Sequence, residues 1–539
     1  MRSDLGFLRG VGRGLVRVGE VRCGVSVRRL RERWGLGVRS VAWSGLFWIL
    51  AALTAGSAAR AGEEAAAAVE DVKGAVELFV NARTAGSVDD FIVAAAKVRA
   101  LADAGQPFFR FLLAVYASQD TLCNLPEKTR VKYLSEGRPL MMQYAEDGNS
   151  MAQYLVGMDC QVNLNAPAGA RKWFERAAEQ GHALAQNSLG LIYYQGQDVA
   201  QNYDKASEYF RLAALQGNLN GEYNLGTLYY YGHGVPQDDD MALRLYTRAA
   251  EKGNSNAMNN LGWLYQQGRG VAKDLEKAAA WYRKSAETGN ANGQFNYGFS
   301  CARGAGVPQN FREAAMWYWR AADQGNVEAQ VNIGVLYRDG LGLKQDDGKA
   351  LDWFAKAAEQ KHSMAQFFIG QMYEQGRGVP LDEGRACRWY RKAAENGNPH
   401  AFNALGTFYY RGKTVAKDYV QAEAHYRRAA LQGLPAAQNN LGMLYLRGEG
   451  VVQSHERAAE WFIKAVKQGN ADAAYNLALL HEYGKGVEAS HILAVNLCKQ
   501  AALQGHVGAA EWLFRNGYTA WLKSAAKKGG EAGHQPAAR

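Results

Sequence analysis

Glycine returns every 36 residues through most of this 539-residue chain. After "AAEQ" or its equivalent it stands at Gly181, Gly217, Gly253, Gly289, Gly325, Gly397, Gly433, Gly469 and Gly505, with Lys361 filling the one gap. A second series, mostly from Leu-Gly, runs Gly190, Gly226, Gly262, Gly298, Gly334, Gly370, Gly406 and Gly442; Ala478 is its substituted last member and Gly157 heads it at a spacing of 33. A fixed period of this size holds one supersecondary unit, which cannot bury its apolar face alone but can do so by stacking on its neighbours. The period therefore predicts a one-dimensional array where the length alone would suggest several globular domains.

Each unit reads as two helices. In "AMNNLGWLYQQG" (257 to 268) Leu261, Leu264 and Tyr265 fall at i, i+3 and i+4 and make one apolar face. In "EKAAAWYRKSAETG" (276 to 289) Trp281, Tyr282 and Ala286 do the same beside Lys and Arg, and Gly289-Asn290 is a helix stop. Trp173, Trp281, Trp317, Trp353, Trp389 and Trp461 form one column of the second helix, and Ala178, Ala214, Ala250, Ala286, Ala322 and Ala358 another, so that small residues admit close backbones and aromatics fill the space beside them. A glycine in mid-helix costs about 1 kcal/mol in propensity, which marks the second series as close helix crossings. Gly-x-Gly recurs at the same period, at Gly376/Gly378 and six equivalent places, and is read as the turn between helices. A dinucleotide-binding loop would follow a strand, occur once and carry a third glycine. Cys387, on the next helix, is expected in the core.

These units, typified by "AQNSLGLIYYQG", "GEYNLGTLYYYGHGVPQD" and "AAEWFIKAVKQGNADAAYNLALLHEYGKGV", resemble the Sel1-like repeat family, relatives of the tetratricopeptide repeats, over about residues 148 to 517. The resemblance implies an all-α, right-handed α-solenoid of about 10–12 helix-turn-helix repeats, with the first helix of each lining the concave surface. It also implies an adaptor or scaffold more than a particular chemistry. The expected organisation is a signal peptide or anchor at 1–61, a helical cap of worn repeats at 62–147, the array at 148–505, a capping helix at 506–517 and a flexible tail at 518–539.

The net charge of +10 sits mostly at the start. Residues 1–61 hold eleven Arg, no Lys and three acids, leaving 51 basic against 49 acidic residues for the rest, so the case for a nucleic-acid partner falls away. The Arg-rich stretch leads into the apolar run "VAWSGLFWILAALTA" (41 to 55) and then Ala59-Arg60-Ala61, a small-x-small pattern. This is read as a secretory signal cleaved after Ala61; an uncleaved anchor and a mitochondrial transit peptide are the alternatives. With no Asn-x-Ser/Thr sequon, a Gram-negative periplasm is the expected compartment, and membrane contact is expected only through the first segment. Five cysteines follow the signal, with no C-x-x-C pair, so no zinc site is expected. Cys123 and Cys160, 37 residues apart, are a candidate disulfide across neighbouring hairpins.

No H-E-x-x-H, G-x-S-x-G or Walker-type loop occurs, and no cofactor or catalytic residue is expected. His481-Glu482 takes the place of a repeated packing residue, and Asp238, Asp239 and Asp240 fall at the start of a second helix, where acids favour the helix dipole. Counted from the mid-helix glycine, positions minus 3, plus 1 and plus 4 share a face that varies between units. The expected partner-binding residues lie on or beside it: Tyr194, Tyr223, Tyr230, Trp263, Phe295, Phe299 and Phe367, with the amides Asn224, Asn260 and Asn296 at minus 2. Two roles stand open for them: anchoring an extended peptide, or filling a tight superhelix and bonding their own turns. The expected function is a non-enzymatic protein or peptide scaffold; binding a cell-envelope polysaccharide is the alternative, and a cell-wall hydrolase is further behind.

Overall fold

The computed structural model describes residues 95–524 except 97, 101, 104–106 and 118–124. The expected signal segment (1–61), residues 62–94 of the expected cap, Cys123 and residues 525–539 lie outside the described residues. Among the described residues every regular element is a helix. Helices α1 (Pro107–Ala117) and α2 (Glu127–Glu146) lead into ten helix pairs. The first helices are α3 (Ser150–Val162), α5 (Ala183–Gln195), α7 (Leu219–Tyr231), α9 (Ser255–Gln267), α11 (Ala291–Arg303), α13 (Val327–Asp339), α15 (Ser363–Gln375), α17 (Pro399–Arg411), α19 (Pro435–Arg447) and α21 (Ala471–Tyr483). Their second helices are α4 (Pro167–Glu179), α6 (Tyr203–Leu215), α8 (Asp239–Glu251), α10 (Leu275–Glu287), α12 (Phe311–Asp323), α14 (Asp347–Glu359), α16 (Glu383–Glu395), α18 (Tyr419–Leu431), α20 (His455–Val466) and α22 (His491–Leu503). Helix α23 (Val507–Arg515) follows. Each helix from α1 to α23 packs on its neighbours in the chain, so the core is a strip rather than a centre.

Local chemistry sets the helix boundaries. Asn254 accepts the Ala257 N–H at 2.8 Å to cap α9, and Asp382 accepts the Arg385 N–H at 2.8 Å to cap α16. His182, His362 and His506 stand where other first helices have Asn, and accept through Nδ1 at 3.3, 3.3 and 2.9 Å. Leu434 has no capping side chain, and Pro435 follows it at the first helical position, where an N–H would be orphaned anyway. The turn leaving α15 needs φ of +68° at both Gly376 and Gly378, and a Cβ on Gly378 would lie 2.8 Å from the Asp347 carbonyl. Asp198 (φ +59°) and Thr414 (φ +59°) hold the second glycine position in two other turns, and Lys361 (φ +62°) holds the gap in the first glycine series.

The mid-helix glycines are close crossings, as expected. A Cβ on Gly262 would meet Tyr282 Cδ1 at 2.7 Å, and one on Gly442 would meet Phe462 Cε1 at 2.5 Å. The buried ring is therefore the residue after the tryptophan column: Phe174, Phe210, Tyr246, Tyr282, Tyr318, Phe354, Tyr390, Tyr426 and Phe462. Burying each contributes roughly 1.5–3 kcal/mol. Where the glycine gives way to Ala478 the ring gives way to Cys498, and both lie in one buried cluster. Phe514 holds that place in α23, where a further ring would have to dock, and is 63% exposed. The tryptophans lie beside the buried rings: Trp281 is partly buried against the cluster of α8 and α9, and Trp317 and Trp461 are themselves buried. Each carries a cation one turn later, such as Lys284 over Trp281 at 4.0 Å and Lys464 over Trp461 at 4.0 Å.

Polar side chains tie neighbouring pairs together. Gln186 donates to the Ala178 carbonyl at 3.3 Å and accepts from Gln216 at 2.7 Å; Gln366 repeats this with Ala358 and Asn396. Glu222 occupies the same column, fully buried, and pairs with Arg248 at 2.6 Å and Lys252 at 3.3 Å. Across the Gly-x-Gly turn Arg377 reaches back 30 residues to Asp347 at 2.7 Å and donates to the Arg338 carbonyl at 2.7 Å. Arg269 does the same with Asp239 and Tyr230, and His233 stacks on Tyr203 with ring centroids 4.5 Å apart.

Two expectations change. Cys160, the described half of the candidate Cys123–Cys160 disulfide, is a free, buried thiol; it packs beside Gly169, and burial pushes its pKa up. Residues 519–524, expected in a flexible tail, are helical, and Tyr518, Trp521 and Leu522 pack on the buried cluster of α21–α23.

Candidate binding face

The first helices of successive pairs approach one another, α9 and α11 among them, and present the expected variable face. Its three positions are not equivalent. Minus 3 lies over the buried ring: Tyr223 packs on Tyr246 and Phe295 on Tyr318, both with centroids 5.8 Å apart, while Phe367 packs on Tyr390 at 5.5 Å and is buried. Phe367, expected in the groove, is therefore part of the core, and Tyr223 and Phe295 are half-buried.

Plus 1 faces outward. Trp263 is 42% exposed and Phe299 36%, on neighbouring first helices one period apart. The Trp263 indole N–H donates to the Tyr230 hydroxyl at 3.0 Å, which fixes the indole while leaving ring surface open. Tyr230, at plus 4, lies under the Arg269 guanidinium at 3.9 Å. Tyr194 packs beside Tyr203 at 5.4 Å and His233 at 6.2 Å. Burial pushes the hydroxyl pKa of Tyr194 and Tyr223 above the usual phenol range, so both are neutral donors.

The amides are committed elsewhere. Asn224 donates to Asn187 at 2.9 Å and Asn296 to Asn259 at 2.8 Å, each bridging two first helices; Asn440 and Asn476 repeat the bond with Asn403 and Asn439. Asn260 accepts from Asn259 at 3.4 Å, and its amide helps hold down the hydroxyl pKa of Tyr223 and Tyr246 against their burial. The column joins repeats, where the sequence suggested bonds to turns or to a peptide. Sequence reasoning missed Tyr231, 58% exposed at plus 5 and packed edge-on to Tyr230 at 4.8 Å, and Arg303, whose guanidinium lies 5.5 Å over Phe299. Plus 5 varies as freely as plus 1, and that variation was the available signal.

Elsewhere the polar groups are structural. His481 Nδ1 lies 3.0 Å from the Glu488 carbonyl, Glu482 pairs with His491 at 2.8 Å, and Asp238 caps α8. Among the described residues no cluster of His, Cys, Asp and Glu could hold a metal ion. With Arg377 taken up by Asp347 and a carbonyl, the Gly-Arg-Gly turn is an inter-repeat clamp.

Ten consecutive stretches match the Sel1 repeat: 150–182, 183–218, 220–254, 255–290, 291–326, 327–362, 363–398, 399–434, 435–470 and 471–506. The chain belongs to the Sel1 repeat family. Among solved structures it is similar to c5321, a protective antigen of uropathogenic Escherichia coli strains with an SLR fold. The two are 31% identical, with a TM-score of 0.57, over 80% of this chain and 90% of that one. A Sel1 repeat protein from Oxalobacter formigenes is 32% identical over 57% of this chain and 89% of that one, with a TM-score of 0.45. No curated protein matches. Sel1 repeat proteins are generally protein-interaction scaffolds, and the fold is ordinarily non-enzymatic.

Proposed function

We propose that this Sel1 repeat protein is an exported, non-enzymatic scaffold that holds a protein or peptide segment against its first-helix face, with Trp263 and Phe299 as anchors. One observation carries the reading. Plus 1 accepts Thr227, Gln371 and Thr407 in sibling repeats of the same geometry, so the fold does not demand two large exposed aromatics side by side there. Exposed aromatics grouped at the middle of a surface are the usual anchors of protein interfaces. Export to a periplasm is supported by the Arg-rich start, the apolar run and Ala59-Arg60-Ala61.

The test is affinity capture from membrane and periplasmic extracts with residues 62–539, beside the same chain carrying Trp263→Ala and Phe299→Ala. A partner retained by the first and lost by the second, with helical content unchanged, is the expected outcome. Identical partners on both would place the binding surface elsewhere.

A further inference from the structure

Comparing the pairs with one another shows what the fold asks of the residues above each buried ring. The hydroxyls of Tyr246 and Tyr426 meet Thr227 and Thr407 at plus 1, both at 3.1 Å. Tyr282 donates to Gln266 at 2.8 Å and Tyr390 donates to Glu374, both acceptors at plus 4. Where those positions are Met443 and Leu446, the ring is Phe462 and no hydroxyl needs a partner. Pair five breaks this pattern. Tyr318 is 1% exposed, Phe299 and Ala302 stand at plus 1 and plus 4, and its hydroxyl has no hydrogen-bond partner. Leaving such a group unpaired is unfavourable, and Thr or Gln at either position would repair it. The phenylalanine that takes the place of a partner is itself exposed.

Charge points to the same region. Helices α5, α7, α9 and α11 carry two charged side chains between them: Glu222, buried and paired inward, and Arg303 at the last position. Each second helix paired with them carries at least four. A partner's cation set against this face would give up water and meet no counter-charge, and the cations an anion would meet stand at its edge: Arg303 over Phe299, and Arg269, which is already paired with Asp239.

We propose that the face of pairs two to five, centred on Trp263 and Phe299, receives an uncharged segment of a partner protein, and that Phe299 is kept for this contact in place of the hydrogen bond owed to Tyr318. The inference rests on the scaffold reading above and adds the chemistry of the partner. Proteins hold locally unfavourable residues where function needs them, so stability and binding should move in opposite directions at Phe299.

The experiment pans a random display library of short peptides on the whole chain, and measures melting and peptide affinity for Phe299→Thr, Ala302→Gln and Trp263→Ala. Phe299→Thr is expected to raise the melting temperature by about 1–2 °C and weaken the selected peptides about tenfold. Ala302→Gln, which supplies the acceptor used in pair four and leaves the Phe299 ring in place, raises the melting temperature alone. Selected peptides lack charged residues, and their affinity changes less than about twofold between low and high salt. Charged, salt-sensitive peptides that Trp263→Ala still abolishes would sink the uncharged partner and leave the scaffold. An unproductive library, or a melting temperature that falls in both repair variants, overturns the proposal.

Discussion

Lys361 and Thr414 each hold a left-handed backbone where sibling repeats have glycine. A side chain in that conformation costs about 1 kcal/mol, and a β-branched one such as Thr414 is the less comfortable. Lys361→Gly and Thr414→Gly should each stabilise the array by about 1 kcal/mol, read as a higher urea midpoint with an unchanged slope. Both positions were legible in the sequence as breaks in a glycine series. The buried ring was not, because hydrophobicity ranks Trp281 above Tyr282 while helix geometry aims Tyr282 at Gly262. Nor was the bonding of the Asn column, although its signal was present: Asn187 and Asn224, like Asn259 and Asn296, lie one residue more than a period apart. Spacing within one helix could not show it, since the bond crosses to the next repeat.

The elements are cut by caps and joined by clamps, and one cap titrates. His182 must keep Nδ1 unprotonated to accept the Ala185 N–H, and burial against Tyr154 lowers its pKa from 6.5 to about 4. Since the folded value lies below the unfolded one, the capped state has its full stability above pH 6.5 and loses it as pH falls toward 4. His182→Asn supplies the same acceptor without the titration. Its melting temperature should stay flatter than the parent's between those two pH values; parallel profiles would remove His182 from the account. The helices, their turns and the close crossings were all readable from period and punctuation. The clamps were not: Arg377 reads in the sequence as part of a turn and no more, because its partner, Asp347, lies 30 residues away on the preceding repeat.

At the scale of the molecule, each pair makes the same kind of contact with the next, so stability accumulates by neighbours and recognition is left to the positions where repeats differ. The array and its extent were evident from sequence, as were Trp263 and Phe299, though not Tyr231. Which of them were free to meet a partner depended on the depth of each position over the buried rings, which a helical wheel does not show. Phe514 has a consequence of another kind. It puts an aromatic ring where every earlier crossing has Gly or Ala, so a second helix of the usual kind cannot cross α23 there and the helix at 519–524 packs on the α21–α23 cluster instead, whereas a unit copied between Asn398 and Pro399 finds the usual crossing on both sides. A duplicate of residues 363–398 placed there should fold and add slow-exchanging amides in proportion. A copy of 490–505 joined after Gly517 should gain such protection only with Phe514→Gly. The chain can lengthen from within, and at that end a single side chain withholds the crossing a further repeat would use.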